Sequence, residues 1–111
     1  MEKEERIMSY YLYQLSYSSS AMKAMIANPT DREAAARKLI EAAGGKLHHL
    51  FFAFGKYDVV CLIEAPNETA VLAIASAVGA SGTVASAATT KLFTAKEAID
   101  VMKLAGKITG S

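Results

Sequence analysis

Two adjacent histidines, two carboxylates downstream of them, one cysteine and a run of tyrosines are the side chains in this chain that could do chemistry. His48 and His49 lie in an apolar, β-rich stretch, where strict alternation sends neighbouring side chains to opposite faces, so the pair cannot chelate one ion. Cys61 is the single cysteine and has no partner for an internal disulfide. Its neighbours Val59, Val60, Leu62 and Ile63 should raise its thiol pKa rather than lower it, so nothing supports it as a nucleophile. One Cys and two diverging His supply no closed four-ligand set, so neither a bound metal nor another cofactor is expected. His49, Asp58 and Glu64 share a face. Asp58, however, lies several pair positions from His49 at about 3.3 Å each, too far for contact within one hairpin. The plain alternative for Asp58 is a carboxylate that accepts backbone hydrogen bonds near a turn.

Tyr10, Tyr11, Tyr13 and Tyr17 could stack bases or line a pocket, as the aromatics of RNA-recognition sheets do. Against the first use, no basic stripe accompanies them, and 12 Lys plus Arg against 11 Asp plus Glu leave a net charge of +1. That is too little to draw a phosphate backbone, and nucleic acid is not an expected partner. No C-x-x-C, phosphate loop or nucleophile elbow occurs. The candidate ligand-binding residues are Asp58, His49, Tyr11 and Tyr13.

The elements that must position these groups can be read in order. At 111 residues the chain suits one domain, expected over 9–106, with a mobile charged leader at 1–8 and a frayed tail at 107–111. Tyr10–Tyr17 is dense in β-favouring aromatics and reads as the first strand. Ser18, Ser19 and Ser20 offer N-cap hydroxyls to a short helix that Asn28-Pro29 stops, and Thr30 with Glu33 predicts a capping box for the next. Ala36, Leu39, Ile40 and Ala43 form its apolar stripe, and Gly44 its left-handed end.

Lys46–Phe54 and Tyr57–Glu64 then predict a hairpin closed by Gly55-Lys56 in a type II′ turn. That register pairs Phe54 with Tyr57, Phe52 with Val59, Leu50 with Cys61 and His48 with Ile63 on the side meeting the helices. Phe51 with Val60, His49 with Leu62, and Leu47 with Glu64 occupy the other side. Asn67 caps a helix with Val71, Ile74, Ala75 and Val78 inward, ending at Gly79. Thr83–Phe93 forms a last strand, and a Thr94/Glu97 capping box opens a C-terminal helix to Gly106.

Thr69 to Thr90 has no charged residue and is long enough to span a bilayer, but Gly79-Ala80-Ser81-Gly82 interrupts it and no aromatic belt flanks it. No membrane association is expected. With no apolar run behind the charged N-terminus and one unpaired cysteine, a reducing, cytoplasmic setting is expected.

The order β, α, β, β, α, β plus a helix is the ferredoxin-like plan, an α+β fold with helices on one face of an antiparallel sheet. Gly44-Gly45-Lys46, Phe54-Gly55-Lys56-Tyr57-Asp58-Val59-Val60, Ile63-Glu64-Ala65-Pro66 and Leu92-Phe93-Thr94 resemble the GYD domain family over roughly Tyr10 to Met102. Gly55, Tyr57 and Asp58 stand at its motif positions. The resemblance implies a dimeric α+β barrel relative of ferredoxin-like domains and no particular activity. The second apolar row of Leu47, Phe51, Val60 and Leu62 predicts a homodimer or higher even oligomer formed through the open sheet face. Three functions fit such a body. The foremost is a small-ligand-binding or regulatory module with its pocket between sheet and partner, and the others are a cofactor-free monooxygenase- or isomerase-like enzyme and a structural subunit.

Overall fold

The computed structural model describes residues 8–110, so of the expected leader only Met8 lies inside the described region. Four strands, β1 (Ser9–Tyr17), β2 (Lys46–Phe52), β3 (Val59–Ala65) and β4 (Val84–Leu92), form one antiparallel sheet in the order β2-β3-β1-β4. Helices α1 (Ser19–Ala27) and α2 (Arg32–Ala42) follow β1, α3 (Glu68–Ala80) follows β3, and α4 (Ala95–Thr109) follows β4. This is the α+β, ferredoxin-like arrangement.

Local chemistry sets most of the boundaries. Ser18 and Asn67 accept from the amides of Ala21 and Ala70, and Thr94 and Glu97 form the reciprocal capping box. At α2 the cap is Asp31, whose carboxylate accepts from Ala34 N–H at 3.1 Å, rather than the expected Thr30. Gly44 takes a left-handed φ of 84°, and a Cβ on Gly45 would stand 2.7 Å from Glu64 O. The Gly44-Gly45 pair thus gives both the turn and the close approach by which α2 hands the chain to β2. Helix α3 continues past Gly79 to Ala80, and Gly82, with φ 78°, makes the turn into β4. Helix α4 runs on through Lys107 to Thr109 before Gly110 closes it, so the expected frayed tail carries the last helical turn.

The core lies between the sheet and helices α2 and α3. Tyr11, Tyr13 and Leu15 of β1, Leu47 of β2, and Val59, Cys61, Ile63 and Ala65 of β3 meet Ile40, Val71 and Ile74 of the helices. No residue of α4 is buried. With a radius of gyration of 17.0 Å, against about 13 Å for a compact domain of this length, the chain is extended for its size.

Three expectations about the hairpin are corrected. First, Gly55 has no positive φ, so there is no type II′ turn. Residues 53–58 form a longer connection in which Ala53 N–H bonds Asp58 O at 2.8 Å, and Phe54 is fully exposed rather than packed on Tyr57. Secondly, the pairs from Phe52/Val59 to His49/Leu62 hold, but the register shifts between Leu47 and His49, so that Leu47 pairs with Ile63 and Lys46 with Glu64. Leu47 is therefore a core residue, 2% exposed, and is withdrawn from the expected open-face row. Thirdly, His48 is displaced to the open face. Its Nε2 lies 2.7 Å from Glu64 Oε1 and its ring 5.7 Å from that of Tyr10. The bulge is what lets the two imidazoles share a face, against strict alternation.

Candidate functional site

A cavity of about 320 Å³ lies between the helix face of the sheet and the helices above it. Its floor is Tyr13, Leu15 and Tyr17 of β1, Leu50 of β2, Val59, Cys61 and Ile63 of β3, and Val84 of β4. Its roof is Arg32, Ala35, Ala36, Leu39 and Ile40 of α2 with Ile74, Ala77 and Val78 of α3, and Ser81 and Thr83 close one end. The roof is rich in small residues, which fill less space than leucines would and leave room above the strands. At this size the space sits at the lower end of small-molecule sites, about 300 to 1,000 Å³.

Its polar groups are few. Burial, helped by the neighbouring Cys61, holds the Tyr13 phenol above its ordinary pKa, so it is a hydrogen-bond donor at neutral pH. Burial, with the Glu33 charge second, pushes the Cys61 thiol up to about 11. As the sequence led one to expect, Cys61 is a neutral, apolar-packed thiol. Arg32, the first residue of α2, brings the one positive charge, and its Nε is buried without a hydrogen-bond partner. Arg37 serves a different end: it donates to Leu47 O at 2.8 Å and pairs with Glu33 at 2.7 Å, pinning α2 to β2.

The four candidate residues do not converge. Tyr13 lines the cavity, while Tyr11, on the same face, lines a separate groove with Val71, Leu72, Ala75 and Lys91. His49 is on the open face, stacked on Phe51 at 5.8 Å. Asp58 acts as a clamp: its amide donates to Leu15 O at 2.8 Å, and its carboxylate accepts from Tyr17 N–H at 2.9 Å. With Ser16 Oγ donating to Lys56 O at 3.0 Å, this ties the Gly55-Lys56-Tyr57-Asp58 element to the end of β1. The backbone role given as the plain alternative for Asp58 is thus observed. Tyr57 is half-buried, with Lys56 Nζ 5.7 Å from its ring centroid.

Sequence reasoning missed Arg32. Between Asp31 and Glu33 it reads as part of a solvated charge run, yet it lies four residues before Ala36 on the inward stripe of α2, which is the signal that could have found it. Among the described residues, no three His, Cys, Asp or Glu side chains group closely enough to hold a metal ion. In the comparisons with known proteins, the GYD domain pattern matches residues 11–102. No curated protein matches the chain.

Proposed function

This chain belongs to the GYD domain family, and we propose that within it the chain is a small-ligand-binding or regulatory module, assembled as a homodimer or higher even oligomer. The observation that carries the reading is the apolar cavity of about 320 Å³ between sheet and helices, with a buried guanidinium nitrogen on its wall. The pocket so placed lies inside each chain rather than between sheet and partner. Binding is favoured over turnover because the lining offers no His or carboxylate, and its thiol and phenol are both held protonated at neutral pH.

Two unpartnered apolar surfaces support the assembly. On the open face, Leu12, Val60, Leu62 and Phe51 form a contiguous row across β1, β3 and β2 by register. Along α4, Lys96, Asp100, Lys103 and Lys107 fall on one side, leaving Ile99, Val101, Met102, Leu104 and Ile108 exposed on the remainder. Surfaces of this kind call for a partner. Among the described residues no helix is long and apolar enough to cross a membrane, and a cytoplasmic setting goes with the single unpaired thiol.

Native mass spectrometry of protein purified from its own host tests both halves. The expected mass is an even multiple of 11.8 kDa with a small molecule retained on each chain. A bare 11.8 kDa species contradicts both the ligand and the assembly.

A further inference from the structure

We infer that the cavity beneath α2 and α3 takes a singly charged organic anion with an apolar body, a monocarboxylate of medium size, whose head group pairs with Arg32. The inference rests on the ligand-binding reading above and adds the charge and class of the ligand. Among the described residues, Arg32 Nε is the one buried side-chain nitrogen or oxygen without a hydrogen-bond partner. The acids on either side are committed elsewhere: Asp31 caps α2 through Ala34 N–H at 3.1 Å, and Glu33 is held by Arg37 at 2.7 Å. The chain thus buries the Nε of a half-buried guanidinium on a cavity wall and matches that N–H with nothing of its own, an arrangement that an incoming anion completes.

The remaining walls narrow the class. No Lys, His or second Arg lines the space, so one positive charge faces it. A doubly charged phosphate would leave a charge unmatched among Leu39, Ile40, Ile74 and Val78. A carboxylate brings one charge and two oxygens suited to the planar guanidinium. The Tyr13 hydroxyl, on the same cavity, offers a second donor. At about 30 Å³ per water-sized group, the cavity holds roughly ten such groups, room for an eight-carbon acid and too little for a long acyl chain.

The test titrates the full chain calorimetrically at pH 7 with octanoate, 1-octanol and octylammonium. Octanoate should bind once per chain and about tenfold or more tighter than 1-octanol, with no heat from octylammonium. Arg32→Met keeps an unbranched stem and should bring octanoate down to the level of 1-octanol, while Arg32→Lys restores part of the preference. Ala36→Phe should fill the space and abolish binding of all probes, with Ala77→Leu in its place if the larger side chain prevents folding. Equal binding of 1-octanol and octanoate, or unchanged octanoate binding in Arg32→Met, overturns the anion assignment while the cavity stands as a site for neutral ligands. Octanoate binding that survives the filled cavity overturns its location. Silence with all three probes also overturns the inference, and the ligand-binding reading is then judged separately by the small molecule retained in host-purified protein.

Discussion

Along β3, Val59, Cys61 and Ile63 are 1%, 4% and 1% exposed, whereas Val60 and Leu62 between them stay partly exposed, and Phe51 beside Val60 is 64% exposed. The side chains are alike and one residue apart. What differs is the cover: α2 and α3 close over one face of the sheet, and no helix supplies a buried residue to the other. An antiparallel sheet meant for water would alternate apolar with polar on β3, and this one does not until Glu64. One face is covered within the chain and keeps a cavity; the other has no such cover.

The largest effect should come from the covered face. Ile63→Ala removes a fully buried side chain and should cost about 2 to 5 kcal/mol in urea denaturation. Leu62→Ala, on the open face, should change the stability of a dilute monomer by far less. Equal losses would erase the difference between the faces. Next is the clamp at their shared edge. Asp58→Ala leaves Tyr17 N–H without its acceptor and should cost about 1 to 3 kcal/mol, while Asp58→Asn keeps an oxygen there and should cost less. An Asn variant as unstable as the Ala variant would show that the charge, not the acceptor, is what β1 needs.

The covered face also predicts a pH dependence. An unfolded chain releases the Cys61 proton near the ordinary value of 9.0, and the folded chain keeps it to about 11. Between those values the folded state holds the extra proton, so stability falls as pH rises through this window and levels off above it. Tyr13 acts in the same direction. Cys61→Ala should flatten part of the fall in thermal melts between pH 9 and 11, and an unchanged slope would place the burial of the thiol in doubt. The smallest effect belongs to the open face. His48→Gln loses a partly exposed pair with Glu64 and should cost no more than about 1 kcal/mol.

What could be read beforehand was what local chemistry decides. Serine, asparagine and the Thr94/Glu97 box mark helix starts because their side chains satisfy amides a few residues away. Thr30 and Asp31 are adjacent candidates for one cap, and the carboxylate took it. The bulge at His48 carries no glycine or proline to announce it. Its cause is tertiary: strict alternation would leave Leu47 outside, and burying that side chain against the core is worth about 1.5 to 3 kcal/mol. The candidate site was half legible. Tyr13 was named, but Tyr11 and His49 belong to other surfaces, and Arg32 was hidden because a charge between two charges reads as solvated until α3 and the sheet close around it.

If a second copy of the chain completes the open face, as proposed, sedimentation velocity of the wild type beside Val60→Asp should reveal it. Val60 lies mid-row on that face, paired with Gln14 and Phe51. An uncompensated carboxylate buried there would cost several kcal/mol of association, and left in water it would cost the single chain little. An even oligomer is expected for the wild type at micromolar concentration, and a folded 11.8 kDa monomer for Val60→Asp. A wild type that sediments as a clean 11.8 kDa species would contradict it.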